Sequence, residues 1–160
     1  MKTASFFAAA VLAAAPLVSA EKLPETSGAA LTKLQQVVNG DHRSAERKAR
    51  DKHRHPVETL SYFGIQPEMT VVELWPFGGW YTEILAPYLK DKGKLYAAAM
   101  EPASQSPGDK KYNADLKAML DARPQLFEKV EQTVLAPGKY QIAPDGTADL
   151  VLTFRNIHNW

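Results

Sequence analysis

Residues 71–83 read VVELWPFGGWYTE, and this stretch decides the fold. Its first half is a short apolar run rich in β-branched residues, which is typical of a strand buried on both faces. Gly78 and Gly79 then indicate a tight turn, and residues 80–89 carry apolar side chains at helical spacing. The stretch therefore predicts a buried strand that turns through glycine into a helix. Such a junction leaves free backbone N–H groups at the carboxyl edge of a sheet, where doubly wound folds bind ligands.

The same alternation of strand and helix continues to the end of the chain. Turns rich in Gly, Pro and Asp separate the segments, and residues 110–122 have the apolar spacing of a second helix. This pattern predicts an α/β domain with a Rossmann-like, doubly wound parallel sheet. We expect the first strand to lie between the second and the fourth. The four predicted strands are residues 70–75, 94–100, 127–135 and 149–154.

Short helical segments precede the sheet. Residues 29–38 have helical spacing and end at Asn39-Gly40, and Pro56 begins a further helix that Gly64 ends. Between them, residues 41–55 hold six lysine or arginine residues and only two apolar ones. We interpret this segment as a solvated helix with i,i+4 ion pairs, and a basic arm for phosphate or acidic partners is the alternative.

The first twenty residues have the pattern of a secretory signal peptide. A basic Lys2 precedes a short uncharged stretch, and Val18 and Ala20 supply the small residues for cleavage after Ala20. The apolar core is shorter than the ~20 residues of a membrane-spanning helix, although an uncleaved anchor is the alternative. We therefore expect a periplasmic or secreted protein without a stable membrane anchor. Residues 21–55 would form a linker and helices, and residues 56–160 the domain.

Composition excludes several classes of site. The chain has no cysteine, which rules out disulfides, thiolate metal ligands and a lipoprotein anchor. Its 19 basic and 18 acidic residues give no overall field that would attract nucleic acid. His53 and His55, two residues apart on a helix, would point to different faces. We expect no metal and no nucleic-acid partner.

At residues 71–83 the chain resembles the first motif of class I S-adenosylmethionine-dependent methyltransferases. It is more closely similar to a family of exported, predicted methyltransferases over residues 54–160, including RHP at 54–56, YFG at 62–64 and RNIHNW at 155–160. The resemblance implies S-adenosylmethionine as cofactor and an unknown methyl acceptor. It also implies that the methionine end of the cofactor is bordered by Glu73, Pro76, Gly78 and Gly79.

Two departures from the family pattern concern this cofactor site. Trp75 and Phe77 stand where the glycine-rich turn usually has glycine, and the Phe77 ring could occupy space that the ligand needs. Ala99 stands where an acidic residue normally holds the ribose hydroxyls. Glu101 is the substitute candidate for ribose binding, and a solvated loop glutamate is the alternative.

The end of the fourth strand carries the candidate catalytic residues. By the resemblance, this is where groups contact the substrate and the transferred methyl. Asn156 would orient the nucleophile, His158 would accept its proton near neutral pH, and Arg155 lies between strand and histidine. The alternative is that Arg155 and His158 satisfy loop carbonyls.

Class I methyltransferases continue beyond the fourth strand, so we expect this chain to be truncated after it. Leu150, Val151 and Leu152 are apolar on both strand faces, which is typical of a central strand. A bare edge there predicts self-association through the fourth strand.

Two functions remain open from the sequence. The leading one is a methyltransferase of unknown acceptor, whose activity the expected truncation puts in question. The other is an exported Rossmann-like binding module for another small molecule or a protein partner, without catalysis. Export favours the second, because S-adenosylmethionine is made in the cytoplasm. A nucleic-acid-binding role for the basic segment ranks last, because that segment has no interleaved aromatic residues.

Overall fold

Four parallel strands form one sheet in the order β3-β2-β1-β4. The computed structural model describes residues 25–156 and 158, so the predicted signal peptide lies outside the described residues. The prediction that the first strand lies between the second and the fourth is confirmed, as is the parallel arrangement. The strands are β1 (Thr70–Leu74), β2 (Lys94–Ala99), β3 (Val130–Val134) and β4 (Leu150–Thr153).

Seven helices occur in the described part of the chain. Proline at the first turn starts several of them, and the Ser106 side chain accepts a hydrogen bond from Asp109 N at the start of the longest. They are α1 (Gly28–Val38), α2 (Ala45–Lys48), α3 (Asp51–Arg54), α4 (Pro56–Tyr62), α5 (Thr82–Leu89), α6 (Pro107–Ala122) and α7 (Pro124–Phe127). None of these helices is long and apolar enough to cross a bilayer.

The interpretation of residues 41–55 as one solvated helix is wrong. The segment forms two single-turn helices, α2 and α3, and His55 ends the second in the left-handed region with φ of 44°. Pro56 disfavours the right-handed helical region for the residue before it, so the helix cannot continue through His55. Arg43 is only 2% exposed. The segment is therefore anchored in the domain through Arg43, while most of its other side chains remain exposed.

One hydrophobic cluster holds the helices to the sheet. Alternate residues of the strands, among them Val71, Leu95 and Leu152, pack in it with side chains from α1, α4, α5, α6 and α7. Leu34 of α1 is fully buried there, so the segment before residue 56 shares the core of the sheet. The architecture is α/β with an all-parallel sheet, consistent with a Rossmann-like fold.

The other face of the sheet and the β4 edge are more open. The connection from β3 to β4, residues 135–149, contains no helix, and Val151 on β4 is 54% exposed. Within the described part of the chain, β4 pairs with β1 alone. Self-association through β4 stays a prediction.

Candidate functional site

A cavity of about 770 Å³ lies at the carboxyl ends of β1 and β4. The strand order reverses between these two strands, and at such a reversal the connections leave in opposite directions and open a crevice. Ligand pockets in proteins have volumes of roughly 300–1,000 Å³. Three stretches line most of the cavity: residues 44–54, residues 73–81 and residues 154–158, with Tyr112 and Asp115 of α6.

The turn after β1 has an unusual backbone. Trp75 and Phe77 adopt positive φ angles of 48° and 51°, and Gly79 follows at 74°. Non-glycine residues in this region carry strain, and they concentrate at functional sites. A Cβ atom on Gly79 would overlap Met119 Cε and lie 3.1 Å from Leu116 Cδ1. Glycine at position 79 therefore permits the positive φ of the turn and lets the side chains of α6 pack close to it. Gly78 lines the cavity.

The Phe77 ring stands at the wall of the cavity rather than filling it. It packs edge-to-face on Tyr112 with ring centroids 4.7 Å apart, and both residues line the cavity. Pro76 lines it beside them. The cavity volume of about 770 Å³ is the space left with the Phe77 ring in place.

Glu73 places a buried carboxyl at the β1 end of the cavity. It is 2% exposed, and Thr82 Oγ1 donates a hydrogen bond of 2.6 Å to its Oε2. Burial raises the pKa of Glu73 to about 7, and the hydrogen bond from Thr82 offsets this only in part. Glu73 lines the cavity, so a ligand that brings a donor or a positive charge would favour its ionised form.

Beside this end lies a cluster of buried charges that sequence reasoning missed. Arg43 donates two hydrogen bonds of 2.8 Å to the Asp51 carboxylate and one of 2.8 Å to Val38 O. Its Nε is 3.7 Å from Glu83 Oε2, and Arg47 Nη1 is also 3.7 Å from that oxygen. These distances are too long for hydrogen bonds, so Glu83 interacts with both arginines by charge alone. Burial raises the pKa of Glu83, opposed by Arg47 and Arg43.

Four arginines line the cavity itself. Arg155 is one of the candidate site residues predicted from the sequence, and the other three lie in the segment for which a basic arm for phosphate or acidic partners was the alternative. Arg47, Arg50 and Arg54 come from residues 44–54, and Arg155 follows β4. Arg47 Nη2 donates a hydrogen bond of 2.7 Å to Gly78 O, which ties α2 to the turn after β1. Besides the positive charge of the segment, the sequence signal for three of them is their spacing of three and four residues, which would put residues 47, 50 and 54 on one helical face.

Aromatic residues hold the basic segment against the sheet. Trp80 Nε1 donates to Arg47 O at 3.2 Å, and the Tyr81 hydroxyl donates to Arg54 O at 3.3 Å. Tyr81 also stacks on Phe154 at the end of β4, with centroids 3.5 Å apart. The turn and the β4 end thereby fix the position of α2 and α3.

Of the three candidate catalytic residues, the structure brings two to the cavity. Arg155, with φ of 62°, and His158 both line it. Asn156 is fully buried, and its Nδ2 lies 3.2 Å from Leu74 O, 3.4 Å from Trp75 O and 3.3 Å from Thr153 Oγ1. Asn156 therefore joins the ends of β1 and β4.

Glu101 lies away from the cavity lining. Its carboxylate pairs with Lys139 at 2.6 Å and accepts a hydrogen bond from Ala103 N at 3.2 Å. Both contacts lower the pKa of Glu101. The other carboxylates that line the cavity, besides Glu73, are Glu46 and Asp115.

Among residues 25–156 and 158, no group of three or more histidine, aspartate or glutamate side chains is placed to hold a metal ion. Comparison with models of known protein families, with curated proteins and with solved structures gave no match, so the family resemblance rests on the residues of this chain alone.

Proposed function

We propose that this protein is an S-adenosylmethionine-dependent methyltransferase that binds its cofactor in the cavity at the carboxyl ends of β1 and β4. The observation that carries the proposal is the Glu73 carboxyl, which is buried yet lines the cavity where the strand order reverses. In Rossmann-like folds this is the position at which ligands bind.

The residues at the β1 end fit the methionine part of that cofactor. One oxygen of Glu73 accepts from Thr82, and the cofactor's ammonium group is a fitting partner for the carboxylate. Gly78 has no side chain to keep a ligand from the turn, and Pro76 and Phe77 offer apolar contact. S-adenosylmethionine supplies a methyl carbon that is activated by the positive sulfur.

The β4 end would hold the methyl acceptor. Methyl transfer depends chiefly on alignment of the nucleophile with the methyl carbon. Arg155 and His158 line this wall, and the His158 imidazole would be the base that accepts the proton the acceptor loses. Asn156 positions the wall through its contacts with the β1 carbonyls.

The proposal is tested by isothermal titration calorimetry with S-adenosylmethionine and S-adenosylhomocysteine. We expect both to bind, and we expect Glu73→Gln to weaken binding about tenfold or more, because it removes the charge opposite the ammonium while keeping the shape. Glu101→Gln is the matched control, since this carboxylate lies outside the cavity lining. Absence of binding, or equal losses in the two variants, would contradict the proposal.

A binding module without catalysis is the second candidate. It is favoured by one observation: in the described part of the chain, no carboxylate from the end of β2 lines the cavity to hold a ribose, whereas four arginines do line it. A protein that binds an anionic small molecule but neither S-adenosyl compound would support this candidate.

A further inference from the structure

The arginines along the cavity differ in how their charges are balanced. Arg47 has Glu83 at 3.7 Å and the Gly78 carbonyl as partners. Arg50, Arg54 and Arg155 form no ion pair with any carboxylate among residues 25–156 and 158. These three guanidinium groups, which we call the arginine wall, line the cavity with positive charge that no carboxylate in the described part of the chain pairs with.

Arg54 is the most firmly placed member of the arginine wall. It is half-buried, and its guanidinium carbon lies 4.6 Å from the centre of the Trp80 ring and 5.9 Å from that of Tyr81. Contact with the two rings orients the planar group before any ligand arrives. Burial lowers the pKa of Arg54 from its usual value, and the charges of Arg50, Arg155 and Arg47 lower it further. A bound anion would offset the repulsion between Arg54 and these neighbouring arginines.

The acidic residues on the cavity lining do not cancel this charge. Asp115 pairs with Lys111 on the same helix. Glu73 has a pKa of about 7, so it is only partly ionised at neutral pH. Glu46 is the remaining carboxylate, set against four arginines. The cavity is thus locally positive in a chain whose net charge is only +1.

We propose that Arg50, Arg54 and Arg155 form a subsite for a phosphate group carried by the methyl acceptor. That the phosphate belongs to a methyl acceptor rests on the proposed function, whereas the subsite itself rests on the three arginines that line one cavity. A phosphate monoester carries about −1.5 to −2 charge at pH 7 and offers three acceptor oxygens. A carboxylate brings one charge and two oxygens, which is too little to balance three guanidinium groups. Each planar fork can bind two phosphate oxygens at once.

The subsite and the cofactor end would then occupy different walls of one cavity. Glu73 and Gly78 belong to the turn after β1, whereas Arg50 and Arg54 belong to the basic segment and Arg155 to the β4 end. A phosphate held by the arginine wall would fix one end of the acceptor, so that its nucleophile is presented toward the cofactor.

The test is calorimetric titration of the protein with pyrophosphate, which needs no S-adenosyl compound. We expect saturable binding that weakens as salt is raised, and little or no binding of acetate at the same concentration. Arg54→Gln and, separately, Arg155→Gln should each weaken pyrophosphate binding about tenfold or more. Arg155 is exposed, so its variant keeps the test valid if Arg54→Gln fails to fold. Arg123→Gln is the matched control, since Arg123 lies outside the cavity lining.

Three results would overturn the subsite: no pyrophosphate binding, equal binding of acetate, or equal losses in Arg155→Gln and Arg123→Gln. A further experiment distinguishes a phosphate subsite for the acceptor from a site for the carboxylate of the cofactor itself. In protein saturated with S-adenosylhomocysteine, pyrophosphate should still bind, and mutual exclusion would assign the arginines to the cofactor instead. If pyrophosphate binds while neither S-adenosyl compound does, the proposed function fails and the subsite stands.

Discussion

The indole of Trp80 contacts two arginines that have opposite surroundings. The guanidinium carbon of Arg43 lies 5.0 Å from the ring centre and that of Arg54 lies 4.6 Å from it. Arg43 belongs to a buried charge cluster, in which Asp51 and Glu83 balance it. Arg54 belongs to the arginine wall, where no described carboxylate does so. Residues of one type, eleven positions apart in one segment, thus hold the fold in one region and leave charge available for a ligand in the other.

The two buried glutamates repeat this difference. Glu83 lies in the charge cluster beside two arginines, whereas the described contact of the Glu73 carboxyl is the hydroxyl of Thr82. Burial raises the pKa of both carboxyls, but for Glu83 the arginines oppose the rise. The interior region therefore balances its own charges, whereas the cavity region holds three arginines that pair with no carboxylate among the described residues.

The largest expected effect comes from breaking the charge cluster. Arg43→Met should lower the free energy of unfolding by about 3–5 kcal/mol, because it leaves Asp51 and the Val38 carbonyl without their hydrogen-bond donor and leaves Glu83 with Arg47 alone. Arg54→Met, the matched change on the same indole, should alter it by less than about 1 kcal/mol. Urea denaturation of both variants measures the difference. Similar losses in the two would show that the regions are not distinct.

A smaller effect should appear in the pH dependence of stability. The folded pKa of Glu73, about 7, is raised above its ordinary 4.5, so the native state holds the proton more tightly than the unfolded state. Protonation of Glu73 contributes fully to the free energy of unfolding below about pH 4.5. This contribution falls by roughly 3 kcal/mol as the pH rises to about 7. Glu73→Gln should remove this part of the slope. Urea curves across that pH window make the measurement, and an unchanged slope in the variant would contradict the assignment.

The smallest expected change in the free energy of unfolding comes from substitutions in the arginine wall. Arg50 and Arg155 are exposed, so changing either to Gln should shift the free energy of unfolding by no more than about 0.5 kcal/mol. The shift should be toward greater stability at low ionic strength, because one of several like charges is removed, and it should disappear in high salt. Urea curves at two salt concentrations would reveal it. A clear loss of stability at low salt would mean that these arginines support the fold.

The sheet was predictable because its signal is local. The apolar runs of β1 and β4 indicate buried strands, and Gly78-Gly79 marks the turn between β1 and α5. The strand order then followed from the resemblance and from the parallel connections. Strand ends differed by one to three residues, as at Trp75, where the backbone leaves the strand with a positive φ.

The charged parts of the site were less accessible from sequence. Arg43 is paired with Asp51 eight positions away and with Glu83 forty positions away, and a charge run gives no indication of such partners. Glu101 was chosen by its distance from β2, but Lys139 in a distant turn fixes its carboxylate elsewhere. Helix packing and loop course decide these pairs, and neither is encoded in local spacing.

Asn156 has a consequence for how the cavity can move. Its side-chain amide reaches the carbonyls of Leu74 and Trp75 just beyond the last ladder pair of β1 and β4. These contacts join two walls of the cavity at their base. The hydrogen bonds from Trp80 and Tyr81 to the carbonyls of Arg47 and Arg54 tie α2 and α3 to the same strand ends. We therefore expect changes in the width of the cavity to fall on α6, and the conformational entropy lost when a ligand is enclosed to be concentrated there.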